Sequence, residues 1–342
     1  MIVRLHGEGI PGNELKYDQM THTQNEYVIG LEIGGTKLQA VLGTRDGRIL
    51  HTERGVAPVQ DGAHAILSWF KEPVARLIAH ATGEGKRVAS IGVGFGGPVE
   101  SNAGKVMVSH QVSGWDNFPM RTWLEEAFGL PVYLGNDSNV AGWAEYRIGA
   151  GVGTRQFCYM NIGSGIGGAL VINGILHDGQ GLGAAEIGHT LVPDWTNPVL
   201  GSANKLENLC SGWSIEKRLR AHPLAAGTPL HTLAHGDAQI ITCAMLGEAA
   251  RQGDAAALAE LDRVGHAAGI ALANVITLVH PERIAMGGGV SLLGDVLLNP
   301  IRKYAAHYVF GCYRGKYEIV PCALGEAVVV AGALLLAPET DE

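Results

Sequence analysis

One pattern constrains this chain most: an apolar run, a glycine-rich turn and a second apolar run occur twice, about 130 residues apart. In the first copy, residues 27–33 lead through Gly34-Gly35 into residues 38–42. In the second, residues 157–162 lead through Gly163-Ser164-Gly165-Ile166-Gly167-Gly168 into residues 169–172. Apolar runs on both sides of a tight glycine turn read as a β-hairpin. Two such hairpins so far apart point to two related halves, and 342 residues are enough for two domains.

The segments between them alternate strand and helix, which predicts an α/β fold. Ala65, Ile66, Trp69, Phe70, Val74, Leu77 and Ile78 recur at helical spacing. Residues 89–95 read as a buried strand entering Gly96-Gly97-Pro98, and residues 131–134 as a strand ending at Gly135-Asn136-Asp137. Helices are expected over 139–148, 240–250 and 256–279. A strand at 283–286 ends at Gly287-Gly288-Gly289 before a helical stretch, and helices over 295–308 and 325–336 close the chain.

Composition narrows the function. Glycine is 49 of 342 residues, about twice the usual share, with no collagen period, so the glycines serve turns and ligand loops. A net charge of −8 and a pI near 6.0 argue against a nucleic-acid surface, which needs clustered Lys and Arg. The five cysteines are scattered without a C-x-x-C, as in reduced, cytoplasmic proteins. The most apolar stretch, 323–337, contains Glu326 and is too short to span a membrane. Residues 1–26 are polar, lack a signal-peptide core, and read as a flexible N-terminal arm with Met20 as an alternative start.

Five constellations carry chemistry. Glu32-Ile33-Gly34-Gly35-Thr36-Lys37 offers backbone N–H groups, a hydroxyl and a charge to phosphate oxygens, and an acidic group able to hold Mg²⁺ through water. Gly163 to Gly168 reads as a second phosphate loop, because a strand rather than a helix follows it, unlike a dinucleotide fold. Gly287-Gly288-Gly289 can lie flat against a nucleobase or ribose. For all three, the bland reading is a plain turn. Asp137, at a strand end before a helix, suits a base that takes a proton from a hydroxyl attacking phosphorus. One of Asn136-Asp137-Ser138-Asn139 is also expected to cap that helix. Glu186 and His189, with Glu207 further on, suit the vicinal hydroxyls of a sugar, although a structural histidine and a solvated helix start explain them equally. His51, His64, His235 and His307 have no partner at a telling spacing.

Together and in order, these motifs resemble the ROK family of bacterial sugar kinases, within the actin/hexokinase/Hsp70-like ATPases. The resemblance runs from residue 27 to about 337. Residues 31–37 look like the first phosphate motif, with Glu32 where the family has Asp. Residues 92–100 look like its G-x-G-x-P-G-P-V-D loop, with Gly96 for Pro and Glu100 for Asp, and Gly114-Trp115 matches the G-W that follows. Asn136-Asp137-Ser138-Asn139 resembles N-D-A-N, residues 161–168 the second phosphate motif, Glu186-Ile187-Gly188-His189 the E-x-G-H motif, and residues 281–291 the adenosine region. Most of the family then carries a zinc-binding C-x-C-G-x-x-G-C-x-E. Residues 197–207 keep the approximate spacing and Glu207 but not the cysteines, so no structural zinc is expected.

The resemblance implies two actin-like (ribonuclease H-like) α/β domains around a ligand cleft. The small domain would hold 27–135 plus 326–342, and the large one 136–325. It implies an ATP-dependent, Mg²⁺-requiring kinase of a neutral hexose, glucose-type by preference, or of an N-acetylhexosamine, acting at the 6-hydroxyl. Asp137 would be the catalytic base. Gly97, Asn136, Glu186, His189 and Glu207 would bind sugar. Gly34, Gly35, Thr36, Lys37, Gly163, Ser164, Gly165, Gly287, Gly288 and Gly289 would bind ATP, and Glu32 the Mg²⁺. Family repressors carry an N-terminal DNA-binding domain for which about 26 residues leave no room. The apolar helices of the second half suit a homodimer. A catalytically silent sugar sensor, a kinase of a non-sugar acid, and polyphosphate as donor are the alternatives.

Overall fold

The computed structural model describes residues 25–109 and 112–337. Residues 1–24 of the expected arm and 338–342 of the expected small domain lie outside the described residues. β1 (Glu26–Ile33) and β2 (Lys37–Gly43) form the first hairpin, and β3 (Ile49–Val56) extends it. α1 (Gly62–Gly83) buries Ile66, Phe70, Val74 and Leu77 on one face, as their spacing predicts. β4 (Arg87–Phe95), a short pair β5 (Val99–Glu100) and β6 (Lys105–Val106), α2 (Met120–Phe128) and β7 (Val132–Asn136) complete the first half. α3 (Asp137–Ile148) then leads away.

The second half opens with β8 (Gln156–Ile162), β9 (Ile166–Ile172) and β10 (Ile175–Leu176). A small hairpin, β11 (Leu191–Pro193) and β12 (Ala203–Lys205), precedes α4 (Leu206–Cys210), α5 (Gly212–Arg220) and α6 (Pro229–Leu233). α7 (Cys243–Arg251), α8 (Ala255–Val279), β13 (Arg283–Gly287), α9 (Asp295–Tyr308), β14 (Glu318–Pro321) and α10 (Val328–Leu334) follow.

The two halves repeat each other strand for strand. The first sheet runs β3-β2-β1-β4-β7 and the second β10-β9-β8-β13-β14. In each, three antiparallel strands are followed by two added in parallel. Parallel strands need covering on both faces, and helices supply it. α10 lies on β1 and β4, α3 lies on β8 and β9, and the two helices cross between the sheets. Close approach requires glycine here: a Cβ on Gly332 would overlap the Val140 carbonyl oxygen, and one on Gly92 that of Ala333. No helix among the described residues is long and apolar enough to cross a membrane.

Three helix starts differ from the expectation by two or three residues, each for a local reason. The helix expected from residue 139 starts at Asp137, because Asn136 caps it. That expected from 240 starts at Cys243, capped by the Thr242 hydroxyl, after a 3-10 turn at Ala238–Ile240. The helix expected over 295–308 is found there as α9, whereas that expected from 325 opens with a 3-10 turn at Gly325–Ala327, where Gly325 has φ 58°, and α10 begins only at Val328.

Candidate active site

The turn between β1 and β2 forms the first glycine loop, closed by Gly34 N–H donating to the Lys37 carbonyl at 3.1 Å. Glu32 pairs with Gln39 across the hairpin. Gln39 Nε2 donates to Glu32 Oε2 at 2.6 Å, and Lys37 Nζ lies 3.2 Å from the same oxygen. Arg54 Nε in turn holds the Gln39 amide oxygen at 3.1 Å. The Glu32 carboxylate is thereby fixed through one oxygen, while Oε1 accepts no hydrogen bond among the described residues. A mostly buried carboxylate with one oxygen unused fits a water-linked Mg²⁺.

β7 carries Asn136 to the head of α3. Its Oδ1 accepts from the backbone N–H of Ser138 (3.0 Å) and Asn139 (3.2 Å), and its Nδ2 donates to the Gly97 carbonyl at 3.0 Å. Two of the five expected sugar ligands, Asn136 and Gly97, are therefore tied to each other, and one Asn136 N–H remains for a ligand. Asp137 is the first helical residue, and its Oδ1 accepts from Ser138 N (2.6 Å) and Oγ (3.2 Å). Burial pushes the Asp137 carboxyl up to about 6, the Ser138 hydrogen bonds oppose this, and the nearby Glu32 and Glu186 charges add to it. A Cβ on Gly96 would stand 3.4 Å from Asp137 Oδ2 and 3.6 Å from Gly34 Cα. The candidate base and the first glycine loop thus face one small space. Pro at position 96, as in the family loop, would fill it further.

The second glycine loop closes through Gly163 N–H donating to Gly165 O at 2.8 Å. Gly212 N–H, at the head of α5, donates to Gly163 O at 2.7 Å. Glu207 Oε2 accepts from Ile166 N at 2.7 Å, and a Cβ on Gly165 would lie 2.6 Å from that oxygen. Glu207 therefore braces the second loop with one oxygen. Ser164, at the loop tip, is exposed. The three glycines at 287–289 differ. Gly287 is buried against the Tyr159 hydroxyl and Cys322, and Gly288, at φ 82°, packs on the Ile162 backbone. Only Gly289 is exposed with nothing within 4 Å, so it offers the open surface.

Glu186 and His189 flank a 3-10 turn at Ile187–His189, and both are exposed. The approach to Glu186 is held by Asn139, whose Nδ2 donates to Gly168 O (2.7 Å) and Ala184 O (3.0 Å). His189 makes no side-chain hydrogen bond among the described residues. Beyond it, Asp194 organises the β11–β12 hairpin. Its Oδ1 accepts from Thr196 N (2.9 Å) and Oγ1 (2.6 Å), its Oδ2 from Asn204 Nδ2 (3.1 Å), and its own N–H donates to Ser202 O (3.0 Å). These bonds, Thr196's hydroxyl foremost, hold the Asp194 carboxyl below its usual range. The residues here do not fit a zinc ion. No group of three His, Cys, Asp or Glu ligand atoms among the described residues includes His189. Cys210 is fully buried with its thiol on the Val264 carbonyl, and burial pushes that thiol up.

Gln39, Asn139 and Asp194 are the positioning residues that sequence reasoning passed over. Asn139 stood inside a quoted motif without a role. Gln39 carries no local signal, since its partners Glu32 and Arg54 come from other strands, and Asp194-Trp195-Thr196 reads only as a local turn until Asn204 is brought to it.

The profile of the ROK family matches residues 28–340. The chain is 32% identical to the glucokinase of Thermotoga maritima over 316 residues, covering 91% of this chain and 97% of that one. It is 33% identical to the glucokinase of Streptomyces coelicolor over 319 residues, covering 92% and 98%. Among solved structures, the ROK family glucokinase of Streptomyces griseus in complex with glucose and AMPPNP superposes with a TM-score of 0.75 at 33% identity. That match covers 91% of this chain and 99% of that one. The match of sequence over nearly the whole length, with two halves of one topology and the first glycine loop facing Asp137, makes this chain a member of the ROK family.

Proposed function

We propose that this protein is an ATP-dependent kinase of a neutral hexose, glucose first, that transfers the γ-phosphoryl group to the 6-hydroxyl. One observation carries the reading: a half-buried carboxylate, Asp137, faces the same space as the first glycine loop. A carboxylate with its affinity for protons raised to about 6 is still ionised near neutrality, yet basic enough to take a proton from a polarised alcohol. The glucokinase relatives, and the glucose and AMPPNP held by a relative of the same fold, support the substrate pair.

In this reading, ATP lies between the two glycine loops, with Gly34, Gly35, Thr36 and Lys37 on one side and Gly163, Ser164 and Gly165 on the other. Gly287 to Gly289 line the adenosine, with Gly289 in contact. Glu32 would hold Mg²⁺ through water, and the ion would neutralise charge on the phosphates. Sugar lies deeper, against Gly97, Asn136, Glu186, His189 and Glu207. Asp137 accepts the proton of the 6-hydroxyl as its oxygen bonds to the γ-phosphorus. The bond from that phosphorus to the β-bridging oxygen breaks, and ADP leaves. The small domain, 27–135 with 326–342, and the large one, 136–325, close over the substrates and exclude water.

The test is ADP release with Mg²⁺ over a panel of hexoses and N-acetylhexosamines. Turnover with glucose above all others is expected. Turnover with none, while glucose still raises the melting temperature, would overturn the kinase reading in favour of a sensor.

A further inference from the structure

We propose that His51, His80 and Glu84 form a surface site for a divalent transition-metal cation, Zn²⁺ by preference, outside the cleft. His51 is isolated in sequence, but the fold brings it from β3 onto the end of α1. His80 and Glu84 are four residues apart and share one side of that helix end. The ligand atoms of all three lie within 4.8 Å of one another. His80 Nε2 is 3.1 Å from Glu84 Oε1, and the two imidazole centroids are 3.6 Å apart. Zinc bonds of about 2.0–2.1 Å put tetrahedral ligand atoms roughly 3.3 Å apart, so small side-chain rotations close the site.

A second observation points the same way. The other Glu84 oxygen, Oε2, accepts from the Tyr27 hydroxyl at 2.7 Å. That bond turns Oε1 toward His80, as outer-shell partners do in metal sites. Arg76, one turn earlier on α1, is taken by Glu53 through two bonds of 3.1 Å. Two imidazoles and one carboxylate select zinc, nickel or copper over Mg²⁺, which takes oxygen ligands. The Mg²⁺ of phosphoryl transfer therefore does not fill this site. Tyr27 is at the opposite end of β1 from Glu32, about 17 Å along the strand. A bound ion would staple β3 to α1 and, through Tyr27, to β1 without touching the reaction.

The experiment titrates ZnCl₂ into the metal-stripped full chain by calorimetry, with Co²⁺ absorption reporting tetrahedral geometry. One ion per chain is expected in the wild type. His51→Ala and His80→Ala, with His80→Gln as a milder variant, are expected to weaken it at least tenfold, about 1.4 kcal/mol. Tyr27→Phe is expected to weaken it about tenfold through the freed carboxylate. ATP turnover of the metal-free variants should match the wild type. Unchanged zinc affinity in the double variant His51→Ala/His80→Ala, or no binding below 100-fold molar excess, would overturn the site.

Discussion

Asp137 is held at the first turn of α3 by Ser138, and burial raises its carboxyl from 3.8 to about 6. The folded state therefore binds that proton more tightly than the unfolded chain. The resulting stabilisation is full below pH 3.8 and is lost as pH rises through 6. Near neutrality the ionised group costs stability, at most about 3 kcal/mol and less to the extent that cleft water screens it. Asp137→Asn is thus expected to raise the melting temperature at pH 8 and to leave it nearly unchanged at pH 4. Melts at the two pH values check this, and a lower melting temperature at pH 8 would contradict it. The wild-type kcat should climb through pH 6 as the base ionises. Glu145, on the same helix, is a structural carboxylate. It is fully buried on α3, and its oxygens accept the backbone N–H groups of Ala150, Ala323 and Leu324 at 2.7–3.1 Å. Glu145→Ala strands three donors and is expected to lose at least about 3 kcal/mol in urea unfolding. Asp137 was legible because its neighbours form a motif. Glu145 was not, because a glutamate within a helix reads as a solvated face until distant residues 323 and 324 are brought to it.

The elements that could be read early were those with a period and a glycine. The two hairpins β1–β2 and β8–β9, and the helices α1 and α8, bury side chains at the spacing their sequences show. β11 and β12 could not be read, because three-residue strands show no alternation and their pairing rests on Asp194, a side chain in the loop between them. That hairpin links His189 to Glu207, so in the proposed reading its rigidity bears on sugar binding. Asp194→Ala is expected to raise the KM for sugar several-fold with kcat within a factor of two, measured by glucose titration. A fall in kcat at unchanged KM would contradict a positioning role. Because the ligands for zinc are not assembled at His189, chelator treatment followed by return of Mg²⁺ should leave turnover intact.

At the scale of the molecule, the repeat seen as two hairpins proves to be a repeat of whole sheets, β3-β2-β1-β4-β7 and β10-β9-β8-β13-β14. The edge strands β3, β10 and β14 and the crossing of α3 with α10 had no local signature. They depend on contacts such as Gly332 on Val140, between residues far apart in the chain. The first glycine loop faces Asp137 at the head of α3, and Gly167 of the second hairpin packs on the neighbouring Ser138; the central claim is that phosphoryl transfer happens there. The most direct test compares wild type and Asp137→Asn in sugar-dependent ADP release, with glucose binding measured by calorimetry in both. The expected result is glucose-dependent turnover in the wild type, a kcat lower by about 10²–10⁴-fold in the variant, and glucose affinity within a few-fold. A variant that keeps its kcat and loses only glucose affinity would contradict the account.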